Sequence, residues 1–179
     1  KKIFPIINQK INQYICEKVK INFTDADLLR KKYWDNYGAT LEGLIKHHNI
    51  DPTEFLEETH SLTNLKELVV PMPDLIEVLS SINGQKILYT NAPRNYANKV
   101  LEICKVEDYF DEICSIEDCN FLAKPSAISM KIFLKKYKIK SACFVDDVKK
   151  NLETANQFGL STIWLTNEKE SPSYIDKKI

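Results

Sequence analysis

A strand–helix–strand pattern occupies residues 141–165, SACFVDDVKKNLETANQFGLSTIWL. The apolar runs SACFV and LSTIWL at its two ends predict β-strands. Between them, Leu152, Ala155 and Phe158 recur at helical spacing. Gly159 then provides a typical helix stop. Two strands joined by a helix of this length predict a βαβ unit and therefore a parallel sheet.

Similar elements precede this unit in the chain. The runs KILYT (residues 86–90) and EICSI (residues 112–116) predict two more strands, and helical patterns surround them. Right-handed crossovers place the carboxyl ends of parallel strands along one edge of a sheet, where ligands bind. We therefore predict an α/β protein with a Rossmann-like open parallel sheet as its core.

The first part of the chain has a different period. From Ile3 to about Val70, apolar residues recur at three- and four-residue spacing, with no segment that predicts a strand. This pattern is typical of a helical bundle. We predict two domains, a helical cap over residues 1–72 and the α/β core over residues 73–179.

Composition excludes several classes of protein. The 179 residues are 44% hydrophobic, which is ordinary for a globular protein of one or two domains. The 25 basic and 25 acidic residues cancel, which argues against a nucleic-acid polymer as partner. We expect no membrane span, because no apolar run approaches the roughly 20 residues that one needs. The five cysteines contain no C-x-x-C pair, so we expect a reducing, cytoplasmic location rather than disulfides or a zinc site.

Polar residues lie at the ends of three of the predicted core elements. Thr90 and Asn91 end one strand, Lys124 precedes a helix, and Asp146 and Asp147 end another strand. Adjacent carboxylates repel each other unless a cation lies between them, and hard oxygen ligands suit Mg²⁺. A hydroxyl, exposed turn amides and a lysine are groups that hold phosphate oxygens. Together these residues predict a site for phosphate and Mg²⁺.

Each of these residues also has a purely structural interpretation. Thr90 can cap a turn, Lys124 can be a solvated side chain before a helix, and Asp147 can cap the next helix. The two tryptophans, Trp34 and Trp164, are expected in the core.

The order of these motifs resembles that of the haloacid dehalogenase (HAD) superfamily. The nearest resemblance is to its pyrimidine 5′-nucleotidase type of phosphatase, through YWDNYGATLEGL (33–44), LYTNA (88–92) and FVDD (144–147). The resemblance extends over nearly the whole chain, with the helical first part similar to the superfamily's cap domain.

The resemblance implies a role for each candidate residue. Thr90 with Asn91 would bind the phosphoryl group, and Lys124 would neutralise the nucleophile and the phosphate as a catalytic residue. Asp147 would bind Mg²⁺ directly, and Asp146 directly or through water.

One motif of that superfamily is missing from the sequence. It is an Asp-x-Asp-x-Thr at the end of a first, central core strand, and it supplies the nucleophile and the general acid/base. Asp25-Ala-Asp27 has the right spacing but lies in the helical half, with Leu29 where the threonine belongs. We expect the motif and its strand upstream of Lys1, which makes this chain a fragment; the alternative is a natural, degenerate homologue.

The implied function is Mg²⁺-dependent hydrolysis of a small phosphorylated metabolite. A nucleoside 5′-monophosphate is favoured by the resemblance, while phosphoglycolate and sugar phosphates stay open. A catalytically inactive binding protein is the main alternative. A receiver-type signalling module has the motifs in a different order, and a dehalogenase of the same fold has no need of an acidic pair. The sequence makes no prediction of the oligomeric state.

Overall fold

The structure, a computed structural model, describes residues 3–179. The first helices are α1 (Ile3–Val19), α2 (Phe23–Tyr37), α3 (Thr40–His48), α4 (Pro52–His60), α5 (Leu65–Leu68) and α6 (Leu75–Ser81). Then follow β1 (Ile87–Tyr89), α7 (Arg94–Cys104), the 3₁₀ turn η1 (Glu107–Tyr109), β2 (Glu112–Cys114) and the 3₁₀ turn η2 (Glu117–Cys119). The last elements are α8 (Ala127–Lys136), β3 (Cys143–Asp146), α9 (Lys149–Gln157), β4 (Ser161–Trp164) and β5 (Lys177–Lys178).

The strands form two parallel sheets, which confirms the predicted α/β fold. One sheet has the order β1–β2 and the other β3–β4–β5. The chain divides into two compact units, 1–121 and 122–179, and each unit contains one of the sheets. This division falls later in the chain than the predicted boundary after residue 72, so the separation into a cap and a core stays a prediction.

Local sequence signals explain the helices of the first unit. The side chain of Asn22 accepts a hydrogen bond from the backbone N–H of Asp25 and starts α2, while Gly38 ends it at φ 79°. Asp51 caps α4 in the same way, accepting from the N–H of Glu54 at 2.8 Å. These residues set the ends of helices in the first part of the chain, which is helical as the sequence predicts.

Apolar packing joins these helices. The rings of Tyr14 on α1 and Phe55 on α4 meet edge to face, with centroids 5.2 Å apart. Gly43 on α3 lies directly against the ring of Tyr33 on α2, so close that a Cβ would be 2.2 Å from its Cγ. The helices α2 and α3 therefore approach each other through a contact that only glycine permits.

The small sheet of the first unit packs against α6 and α7. Leu79, Leu101 and Val106 form the buried cluster, and Leu88 of β1 and Ile113 of β2 pack against it. This packing fixes the carboxyl end of β1, where Thr90 follows.

The second unit has its own core around the larger sheet. Trp164 at the end of β4 is only 1% exposed, as expected from the sequence. Trp34 does not lie in the core: it is 55% exposed on α2, so that expectation was wrong. The helical spacing of α2 buries Tyr33 instead, and the adjacent position faces solvent. No helix within residues 3–179 is both long and apolar enough to cross a bilayer.

His60, the last residue of α4, is a titratable side chain in contact with Tyr96 and Thr59. Its ring packs edge-on against Tyr96 at 5.6 Å, and Nδ1 lies 2.8 Å from the hydroxyl of Thr59. Burial lowers the pKa of His60 from 6.5 to about 4, against the opposing influence of the Leu56 carbonyl and of Glu117.

We expect this histidine to weaken the fold at acidic pH. The unfolded chain binds the proton more readily, so stability is complete above about pH 6.5 and is lost as pH falls towards about 4, by at most about 3 kcal/mol. Urea unfolding between pH 7 and pH 4 measures the effect. His60→Gln should flatten this slope, whereas His47→Gln at an exposed position should not; equal slopes in both variants would contradict the assignment.

Candidate active site

A buried ion pair lies at the carboxyl end of β3. The ammonium of Lys124 is 2.8 Å from Oδ2 of Asp146, and the two side chains are 13% and 6% exposed. The same ammonium lies 5.6 Å from the ring centroid of Phe144. Because a charge buried alone is costly, each member of this pair depends on the other.

The second carboxylate oxygen of Asp146 is also bound by protein groups. Its Oδ1 accepts hydrogen bonds from the N–H of Val148 at 2.9 Å and from Nδ2 of Asn151 at 3.0 Å. Asp146 therefore joins β3, the start of α9 and Lys124 through one side chain. Asn151 is a residue of this site that sequence reasoning missed, since an isolated asparagine in a helix carries no recognisable signal.

Asp147 differs from its neighbour Asp146 in its exposure and in the partners of its carboxylate. It is exposed, and its carboxylate has no hydrogen-bond or ion-pair partner within residues 3–179. Its backbone carbonyl accepts from Nε1 of Trp164 at 3.1 Å, so the backbone is anchored while the carboxylate meets solvent. The alternative role of Asp147 as a helix cap does not hold, because Val148 occupies that position without a side-chain cap.

Thr90 lies in a defined turn of the first unit. Its N–H donates to the carbonyl of Cys114 at 2.9 Å, and its hydroxyl oxygen accepts from the N–H of Ala92 at 3.1 Å. Because the hydroxyl acts as an acceptor here, its own proton is left to donate to an anion. Asn91 is half-buried in the same turn.

The sequence predicts exposed backbone amides around this turn, but two of them already donate to protein groups. The N–H of Ala92 is bound by Thr90, and the N–H of Arg94 at the start of α7 donates to the carboxylate of Glu117 at 3.0 and 3.2 Å. Glu117 thus occupies the positive end of the helix dipole that an anionic ligand would otherwise meet.

The candidate residues fall into two groups. Lys124 and Asp146 are in contact, with Asp147 next in sequence, and all three belong to the second unit. Thr90 and Asn91 belong to the first unit. Convergence of the two groups on one crevice stays a prediction.

The Asp-x-Asp spacing in the helical half has a structural role. Asp25 and Asp27 lie within α2. Hydrogen bonds from Lys31, Arg30 and Asn12, in that order, hold the pKa of Asp27 well below its usual range. The structure therefore supports the exclusion of this pair as the nucleophile motif. Within residues 3–179, no three His, Cys, Asp or Glu side chains form a cluster able to hold a metal ion.

Comparison with known proteins identifies relatives of this chain. A family model described as haloacid dehalogenase-like hydrolase matches residues 6–159. Phosphate metabolism protein 8 of Saccharomyces cerevisiae is 24% identical over 186 residues, an alignment that covers 90% of this chain. The chain spans 56% of the length of that yeast protein.

Solved structures share the fold at low identity. A HAD phosphatase from Thermococcus onnurineus has a TM-score of 0.64 and 18% identity, covering 99% of this chain and 85% of its own. The L-2-haloacid dehalogenase from Xanthobacter autotrophicus, with chloropropionic acid covalently bound, has a TM-score of 0.56 and 16% identity, covering 94% and 66%. One fold thus carries both chemistries, and the likeness concerns the fold alone.

The family match extends over most of the chain. It includes the Thr90 turn, Lys124 and the Asp146–Asp147 pair, the elements from which the resemblance was inferred. The chain belongs to the haloacid dehalogenase-like hydrolase family.

Proposed function

We propose that this chain is part of a Mg²⁺-dependent phosphomonoesterase of the pyrimidine 5′-nucleotidase type. The observation that carries the proposal is the difference between the two adjacent aspartates. Asp146 binds Lys124, while the exposed carboxylate of Asp147 has no hydrogen-bond or ion-pair partner among residues 3–179. The likeness to a yeast protein named for phosphate metabolism supports a phosphorylated substrate. The favoured substrate is a nucleoside 5′-monophosphate, and the helical residues 1–72 would form the cap that selects it.

The donor set suits a magnesium ion. Asp147 offers a hard, exposed carboxylate, and Mg²⁺ commonly takes only one or two carboxylates beside water and phosphate oxygens. Bound there, the ion would supply charge compensation for the phosphate oxygens. Since both oxygens of Asp146 are bound by protein donors, we assign Asp146 to holding Lys124, with any contribution to the metal through water.

The remaining residues would bind and orient the phosphoryl group. The hydroxyl of Thr90 has a proton to donate to a phosphate oxygen, with Asn91 beside it. Lys124, held in place by Asp146, would neutralise negative charge at the nucleophile and at the phosphate.

The nucleophile lies outside these 179 residues in this proposal, since no Asp-x-Asp-x-Thr occurs in them. In the full-length protein, an aspartate oxygen would attack phosphorus as the bond to the substrate oxygen breaks, leaving an aspartyl-phosphate. Water would then release inorganic phosphate and restore the carboxylate.

The chain of 179 residues is therefore expected to show no phosphatase turnover by itself. Its groups can bind phosphate and Mg²⁺, but the covalent route has no carboxylate to start from. The purified chain is assayed with a generic phosphomonoester in the presence of Mg²⁺. Turnover that disappears in Asp147→Asn would show that the nucleophile lies within the chain after all.

The proposal is tested on the full-length protein with a panel of substrates. Nucleoside 5′-monophosphates, sugar phosphates and phosphoglycolate are incubated with Mg²⁺ or with a chelator, and inorganic phosphate is measured. A 2-haloacid is added to the panel because a dehalogenase shares the fold. Mg²⁺-dependent phosphate release supports the proposal, halide release would favour the dehalogenase, and the absence of both would favour a binding protein.

A further inference from the structure

Asp118 on the short turn η2 collects several hydrogen bonds after β2. Its Oδ2 accepts from the backbone N–H of Ser115 at 2.8 Å and from the Ser115 hydroxyl at 3.0 Å. The same oxygen accepts from the guanidinium of Arg94, which forms a salt bridge with it. Three donors on one carboxylate oxygen make Asp118 the centre of a local network.

Arg94 connects this network to the start of α7. Its Nη2 also donates to the carbonyl of Ile113 at 2.8 Å, and its backbone N–H donates to Glu117. The first residue of α7 is thereby tied to the end of β2 and to η2 by side chain and backbone together. Such a charge-assisted network is stiffer than a single neutral hydrogen bond.

The segment held by Asp118 in turn holds the Thr90 turn. The carbonyl of Cys114 accepts from the N–H of Thr90 at 2.9 Å, and the N–H of Ile116 donates to the carbonyl of Ala92 at 3.3 Å. Ser115, which Asp118 binds twice, lies between these two contacts and is fully buried. The turn is therefore bound on both sides by residues 114–116.

We propose that Asp118 and Arg94 are positioning residues that hold the Thr90 hydroxyl in place for a phosphate oxygen. The inference rests on the proposed function and extends it to residues that would not touch the substrate. Hydrogen bonds weaken steeply with distance and angle, so a loosened turn would weaken the contact between the Thr90 hydroxyl and a phosphate oxygen. We call the set Arg94, Ser115 and Asp118 the turn brace.

The chain contains a matched control for Asp118. The turns η1 and η2 begin with the same dipeptide, Glu-Asp, at residues 107–108 and 117–118. Asp108 is exposed, whereas Asp118 is partly buried within the turn brace. Asp108→Asn and Asp118→Asn thus make the same change of charge at equivalent positions of two 3₁₀ turns.

Hydrogen exchange tests the brace itself on the 179-residue chain. In Asp118→Asn, the amides of Thr90 and Ile116 should exchange at least about tenfold faster, the scale of one lost hydrogen bond. The amide of Leu165 in the second unit should be unaffected, and Asp108→Asn should change none of the three. Unchanged protection of Thr90 and Ile116 in Asp118→Asn would overturn the inference.

Kinetics of the full-length protein test the link to phosphate. Asp118→Asn should raise KM for a phosphomonoester, and the inhibition constant of inorganic phosphate, by about tenfold while kcat changes less. A merely structural lesion would lower the active fraction, and so kcat, without moving KM. Arg94→Lys, which keeps the charge but loses the guanidinium fork, should have the same direction of effect.

A double-mutant cycle then decides whether Asp118 acts through Thr90. In a Thr90→Val background, Asp118→Asn should produce no further rise in KM. Additive effects, or a KM equal to that of Asp108→Asn, would overturn the inference. If the wild-type protein releases no phosphate at all, the proposed function and the phosphate role of the brace both fail, and hydrogen exchange still decides whether the brace exists.

Discussion

Asp146→Asn should lower the free energy of unfolding by about 3 kcal/mol, the scale found when one partner of a buried ion pair is removed. The ammonium of Lys124 would keep its buried position and lose the charge of the Asp146 carboxylate, and the donors of Val148 and Asn151 would face a weaker acceptor. Chemical unfolding of the 179-residue chain measures this loss without any need for activity.

The matched control for Asp146→Asn is the same change at the next residue, Asp147. Asp147→Asn makes the same chemical change at an exposed carboxylate, and its effect should stay within about 0.5 kcal/mol. Removing both charges of the pair, in Asp146→Asn with Lys124→Met, should recover much of the lost stability, because no buried charge is then unpaired. Equal stability of the Asp146→Asn and Asp147→Asn variants would contradict the structural role of Asp146.

Asp147→Asn in the full-length protein should lower activity and leave stability nearly unchanged. We expect kcat/KM for a phosphomonoester to fall by at least about 100-fold, because the carboxylate that would bind Mg²⁺ is replaced by a neutral amide. The melting temperature without metal should be unchanged or slightly raised, since one of two neighbouring negative charges is gone. Kinetics and melting are measured on the same preparation.

A different combination of results would remove the metal assignment. If Asp147→Asn kept its activity and its Mg²⁺ dependence but lost several kcal/mol of stability, the carboxylate would be structural. Asp108→Asn, at an exposed position on η1, controls for a general effect of reduced negative charge.

The predictable part of the fold is the part with strong local patterns. The segment 141–165 alternates apolar strands with a helix that ends at a glycine, and the structure has β3, α9 and β4 there. The strand β5 was missed because it consists of Lys177 and Lys178, whose charges carry no strand signal. Its pairing with β4 depends on tertiary structure, which a local pattern does not contain.

The sequence selects Lys124, Asp146 and Asp147 as candidates, but their contacts were not predictable from it. Adjacent aspartates at a strand end suggest a cation, but the sequence does not show that Lys124 meets Asp146 and leaves Asp147 exposed. That distinction depends on which side of β3 is buried and on donors such as Asn151, five positions along the chain. The turn brace was likewise hidden, because its salt bridge between Arg94 and Asp118 connects residues 24 positions apart.

We propose that this chain serves Mg²⁺-dependent phosphate-ester hydrolysis, with Asp147 as the carboxylate that would bind the metal. The most direct test of this proposal is a Mg²⁺ titration of phosphate release from a nucleoside 5′-monophosphate by the full-length protein. We predict saturable activation that a chelator abolishes, and in Asp147→Asn an activation curve shifted to at least about tenfold higher Mg²⁺. Two results would contradict the proposal. One is phosphate release that neither Mg²⁺ nor a chelator changes, and the other is identical Mg²⁺ activation curves for the wild type and Asp147→Asn.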